Sequence, residues 1–157
     1  MSMNIYAGIQ VPHPEHGQIW EPIIDFKHWD QEILAEDADE RYERGEDAYI
    51  PNAAYIPNAG MSLSNGNARL VMETLGLAID DEGFGRFEVA AVQKAALRGL
   101  NGAAARVTRD EEVSTGTFGA TFITCALPDD YMRTRIEQLL AIVVEGQKRG
   151  ATHIIVC

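Results

Sequence analysis

Ser62-Leu63-Ser64-Asn65-Gly66-Asn67-Ala68-Arg69-Leu70-Val71-Met72-Glu73-Thr74-Leu75-Gly76-Leu77 contains the clearest start, body and stop of a helix in the chain. Ser64 or Asn65 can accept a hydrogen bond from the first free backbone N–H groups, as an N-cap does. Ala68, Val71, Met72 and Leu75 then recur at the spacing of a single helical face. Gly76 stands where a left-handed residue closes the last turn, and Leu77 is placed to fold back onto it. A well-capped core helix accounts for all of these features. The polar approach to the helix, Ser62, Ser64, Asn65 and Asn67, supports a second reading, in which these side chains face a small ligand.

Toward the C-terminus, Asp80-Asp81-Glu82-Gly83-Phe84-Gly85 is turn chemistry. Residues 87–100 read as a second helix with Phe87, Ala90, Ala91, Ala95, Leu97 and Leu100 as its apolar set among alanines of high propensity. The polar stretch 103–115 reads as loop or irregular strand. Residues 118–126, with Phe118, Thr121, Phe122, Ile123 and Thr124, have strand composition. Pro128, Asp129 and Asp130 suit the start of a helix. Met132, Ile136, Leu139, Leu140, Val143 and Val144 form its stripe, and Gly150 stops it. The apolar run 153–157 closes the chain. Strand, long helix, strand predicts a C-terminal βαβ unit in which 118–126 and 152–156 lie parallel.

Toward the N-terminus, Ile5, Ala7, Ile9 and Val11 alternate with Asn4, Tyr6, Gly8 and Gln10, the period of a half-buried strand. Pro12 and Pro14 end it, and residues 19–26, interrupted by Pro22, qualify at best as an edge strand. The expectation is a single α+β (or small α/β) domain over residues 1–157, with one mixed sheet and about three covering helices. A chain of this length buries a substantial core.

Charge separates the possible functions further. Lys plus Arg total 13 against 24 for Asp plus Glu, a formal −11. Direct nucleic-acid binding rests on neutralising phosphates with basic side chains, so this balance argues against it. A basic protein surface is the partner that such a charge suits. No apolar run approaches the roughly 20 residues of a membrane span. The N-terminal residues lack a signal-peptide pattern, and Cys125 and Cys157 do not make a disulfide framework, so the expected compartment is the reducing cytoplasm.

Residues 30–47 hold nine carboxylates against Arg41 and Arg44, a net −7, with Ile33, Leu34 and Tyr42 as their sizeable apolar side chains. That is too little apolar surface for a buried helix, and a surface helix or loop is expected. The hexapeptide Ala48-Tyr49-Ile50-Pro51-Asn52-Ala53 is then repeated as Ala54-Tyr55-Ile56-Pro57-Asn58-Ala59. Each copy reads as an extended step ending in a Pro-Asn turn. Two copies are too few for a solenoid.

Ser64-Asn65-Gly66-Asn67-Ala68, then Leu75-Gly76-Leu77, Tyr131, Arg135, Leu139-Leu140 and a glycine before a terminal apolar strand together resemble small uncharacterised proteins of bacteria and their phages. The resemblance spans the C-terminal two-thirds and leaves out the acidic stretch and the repeat. It implies an amphipathic helix followed by a C-terminal strand, and no activity.

Chemistry-bearing clusters are sparse. His13-Pro14-Glu15-His16, with His28 nearby, has metal-ligand residue types, but its spacing and intervening proline do not give the shared helical face of a zinc motif. Cys125 would sit before a helix N-terminus, where thiolates are favoured, yet Asp129 and Asp130 oppose a second negative charge there. Gly83-Phe84-Gly85 and Gly116-Thr117-Phe118-Gly119 match no phosphate-binding fingerprint. No catalytic set, metal site or cofactor motif is expected, and the reading leans away from an enzyme. The favoured function is a non-enzymatic interaction protein of bacterial or phage origin. It would bind a basic partner through Glu36, Asp37, Asp39, Glu40, Tyr49 and Tyr55. The alternative is a small-molecule binder or enzyme using the polar loop 62–67.

Overall fold

Strand β1 (Ser2–His13) organises the sheet, because its alternation leaves one apolar face for helices and both edges free for partners. The computed structural model describes residues 2–109, 112–115, 121–124 and 126–157, with 112–115 and 121–124 as backbone alone. β1 turns at Gly17 into β2 (Gly17–Pro22), which pairs antiparallel with its second half. A small excursion follows, made of β3 (Glu32–Leu34), the short helix α1 (Ala38–Glu43) and β4 (Tyr49–Pro51). The chain returns as β5 (Gly60–Ser64), antiparallel to the first half of β1 on the edge that β2 also uses.

Helix α2 (Asn65–Thr74) starts directly from β5, with Ser64 as N-cap accepting from the Asn67 N–H. Gly76 ends it at φ 75, and the Leu77 N–H donates to the Met72 carbonyl. β6 (Gly85–Glu88) and α3 (Val89–Leu100) come next, then β7 (Glu112–Thr115) and β8 (Thr121–Thr124), which form their own antiparallel pair. Helix α4 (Tyr131–Lys148) leads to β9 (His153–Val156).

The α+β class holds, with a five-stranded sheet and helices α2, α3 and α4 packed against one face. Met3, Ile5, Ala7, Met61, Leu63, Ile154 and Val156 meet Val71, Met72, Val92, Ile136, Leu139 and Val143 in the core. Side chains of this size each contribute roughly 1.5–3 kcal/mol on burial, before chain entropy is counted. No described helix is long and apolar enough to cross a membrane.

Among the described residues the expected C-terminal βαβ unit is not formed. β9 inserts between β1 and β6 and is antiparallel to both, while β8 pairs with β7. Ile154, Ile155 and Val156 are all buried, so β9 belongs in the middle of a sheet with cover on both faces. β7 and β8 are close in sequence and pair with each other, as neighbouring strands do. Phe118, part of the expected strand, lies outside the described residues.

The buried faces of two helices also differ from expectation. Phe87 belongs to β6, and α3 buries Val89, Val92, Ala95, Ala96 and Gly99, leaving Ala90, Ala91 and Leu97 exposed. In α4, Ile142 and Gly146 are buried, whereas Leu140 is half-buried and Val144 exposed. A Cβ at Gly146 would collide with the Ala7 side chain, so the missing side chain lets α4 settle against β1.

The opposite face of the sheet has its own, smaller apolar layer. Tyr6, Ile24, Ala59 and Ile155 are buried there. The Trp29 ring packs on Tyr6 at 5.7 Å and its Nε1–H donates to the Ile24 carbonyl at 3.0 Å. Burial raises the Tyr6 phenol pKa, and the neighbouring Cys157 thiol adds to the effect.

Candidate functional site: an acidic ribbon

β3 and β4 form a two-stranded ribbon in which Ile33 faces Ile50 and Leu34 faces Tyr49. Side chains directly opposite in an antiparallel pair share a face, so Leu34 and Tyr49 are neighbours. Both are well exposed, at 59% and 57%, and Tyr42 on α1 is 82% exposed. These are large apolar side chains standing in the most acidic part of the chain.

The connection between the two strands carries a network of exposed ion pairs. Asp37 caps no backbone N–H; its carboxylate instead takes Arg41 Nε at 2.9 Å and Arg44 Nη2 at 3.5 Å. Arg44 also reaches Glu46 at 2.9 Å and Glu40 at 3.7 Å. The hydrogen bond from Arg41 holds the Asp37 carboxyl below its ordinary pKa, and that from Arg44 does the same to Glu46. Glu36 and Asp39, in contrast, have no cation partner among the described residues. Of the expected partner-binding residues, Asp37 and Glu40 pair with the ribbon's own arginines while the Glu40 side chain stays 77% exposed, and Glu36, Asp39 and Tyr49 make no such pair among the described residues. Tyr55 lies elsewhere, half-buried, with Gln31 Nε2 donating to its hydroxyl at 3.4 Å. Leu34 and Tyr42 were not expected as site residues. Their signal is large apolar side chains in a stretch too polar to be core.

Asn52 ties the ribbon to the body. It is 8% exposed, and its Nδ2 donates to the Lys27 and Asp30 carbonyls at 2.8 and 2.9 Å while its Oδ1 accepts from the Ala54 N–H at 3.0 Å.

The polar approach to α2 is largely engaged within the fold. Ser64 Oγ accepts from the Asn67 N–H at 3.4 Å, and Asn67 Oδ1 accepts from Arg109 Nη2 at 3.2 Å. Ser62 is exposed on β5, in register with Asn4, on the sheet face away from the core helices. Asn65 is the exception, since its Oδ1 is buried and has no hydrogen-bond partner among the described residues.

His13 Nδ1 accepts the N–H groups of Glu15 and His16 at 3.2 and 3.3 Å, and the two imidazoles stack at 4.7 Å. His28 Nδ1 lies 2.8 Å from the Ala54 carbonyl. Among the described residues no three His, Cys, Asp or Glu side chains converge as metal ligands would. Asp80 closes its turn by accepting from the Phe84 N–H at 2.7 Å. Cys125 and the glycine pair at 116 and 119 lie outside the described residues. No family model matches the chain, and neither a curated protein nor a solved structure does so.

Proposed function

We propose that the chain is a non-enzymatic interaction protein that binds a basic protein surface through the β3–α1–β4 ribbon. One observation carries this reading: Leu34, Tyr42 and Tyr49 project from an acidic ribbon in which Glu36 and Asp39 make no ion pair among the described residues. Tyrosine supplies contact area at low entropic cost, and rim carboxylates steer a basic partner into register. A bacterial or phage origin and a cytoplasmic setting belong to the same proposal, the first resting on the family resemblance and the second on cysteine usage.

The test is a pull-down from bacterial lysate at low and high salt, with Glu36→Gln/Asp39→Asn and Tyr49→Ala variants beside the wild type. The proposal expects a basic partner whose recovery falls with salt and with either variant. A partner retained equally by all three proteins would defeat it.

A second reading rests on the buried Asn65 Oδ1, which has no hydrogen-bond partner among the described residues and which a small donor ligand would satisfy. Thermal shift with a metabolite set tests this, and a stabiliser lost in Asn65→Ala but kept in Ser62→Ala supports it.

A further inference from the structure

The sheet face away from the core helices is covered only in part. Trp29 and Phe26 lie against Tyr6, but beyond Ile155 the surface opens into a cavity of about 300 Å³ lined by Trp20, Phe84, Gly85, Arg86, Ile155 and Val156. These residues come from 20, 84–86 and 155–156, and the insertion of β9 beside β6 brings them together. Arg86 is in register with Ile155, so its side chain rises from the same face.

Two features set this cavity apart from an ordinary surface hollow. The first is the state of Arg86. It is exposed, its Cζ stands 5.8 Å from the Trp20 ring centroid, and among the described residues it has neither a hydrogen bond nor an ion pair. With no carboxylate claiming it among the described residues, the guanidinium beside the Trp20 ring keeps its N–H donors open to a ligand. The second is the aromatic lining. The Trp20 ring is fixed edge-on by His153 at 4.5 Å, and Phe84 remains 52% exposed on a turn held by Arg69, which donates to the carbonyls of Asp80 and Asp81 at 2.7 and 2.8 Å.

We infer that this cavity binds a small planar aromatic carboxylate, its ring against Trp20, Phe84 and Ile155 and its carboxylate on Arg86. A guanidinium presents parallel N–H donors that match a carboxylate fork. An apolar lining with one directional polar group is the usual make-up of a small-ligand site, and this volume is at the lower end of that class. The formal charge of −11 favours a monoanion over a phosphate ester, because each added negative charge is repelled by the whole chain. The site lies apart from the acidic ribbon and does not depend on the interaction reading.

The experiment is titration calorimetry with 2-naphthoate and its neutral isostere 2-naphthamide, on wild type, Arg86→Gln, Trp20→Leu and Arg106→Gln as a control at another exposed arginine. The expected result is a dissociation constant on the order of 0.1–1 mM for naphthoate. Loss of the charged contact should weaken it about tenfold, both in Arg86→Gln and for naphthamide. Arg106→Gln should bind as wild type, and Trp20→Leu should weaken both compounds alike. Absence of binding to the folded wild type at about 5 mM naphthoate would overturn the inference. So would equal binding of the two compounds, or an unchanged Arg86→Gln.

Discussion

Residues 48–53 and 54–59 are the same six amino acids, and they do two different jobs. In the first copy Tyr49–Pro51 is strand β4, Tyr49 is exposed, Asn52 is buried with three hydrogen bonds, and Ala53 is exposed. In the second there is no strand. The Ile56 N–H donates to the His28 carbonyl, Asn58 is exposed at φ 60, and Ala59 is buried. Proline and its preceding isoleucine make both copies extended at the centre. The neighbours decide the rest, since β3 lies alongside the first copy and the Trp29 layer beside the second. Asparagine contributes its amide in one copy and its tolerance of left-handed backbone in the other.

The largest effect should come from breaking this division at Asn52. Asn52→Ala removes the three hydrogen bonds of a buried side-chain amide, at a cost of about 2–3 kcal/mol. Asn58→Ala, which only forces alanine into a left-handed conformation, should cost about 1 kcal/mol. Chemical denaturation of the two variants compares them directly, and equal losses would mean that the copies are not different in kind.

Gly60, just after the second copy, should come next. A Cβ there would overlap the Trp29 ring, so Gly60→Ala should cost about 1–2 kcal/mol and shift tryptophan emission.

The tyrosines sharpen the contrast at smaller scale. Tyr49→Ala should leave stability within about 0.5 kcal/mol of wild type, as exposed substitutions do, while weakening the proposed partner interaction. Tyr55→Ala should cost more in stability and nothing in partner binding.

Acid gives the smallest effect. The pKa values of Asp37 and Glu46 are lowered in the folded protein by their arginines, so their contribution is present above the ordinary carboxylate range and is lost as pH falls through the lowered values. Below about pH 4, NMR shifts of Tyr42 and Tyr49 should move, while those of Ile56 and Ala59 stay in place.

Helix α2 was legible because its signals are local: Ser64, the Ala68–Leu75 face and Gly76 all act within a turn or two. β1 was legible from its alternation. The partner of β9 was not, because a run buried on both faces, such as Ile154–Val156, fits a parallel or an antiparallel neighbour equally well. In α3, alanines on every side blurred the phase, and the true face is marked by Val89 and Val92. β5 was hidden because Met61-Ser62-Leu63-Ser64 serves as both strand and helix approach. The carboxylates of the ribbon could be read as exposed from their density, but which of them Arg41 and Arg44 would claim depends on a turn at Gly45. The Trp20–Arg86 cavity had no linear signal at all, since three distant segments build it.

The placement of β9 also bears on how the protein forms. Asn4 and Cys157 exchange backbone hydrogen bonds at 2.7 and 3.1 Å, so the first strand described is completed by the last. During synthesis β1 can meet β2 early and β5 somewhat later, but β6 has no route into the sheet until β9 has been made. Contacts of such long sequence separation close slowly. An apolar β1 edge therefore waits while residues 14–152 are made, an interval in which a nascent chain is exposed to wrong pairing.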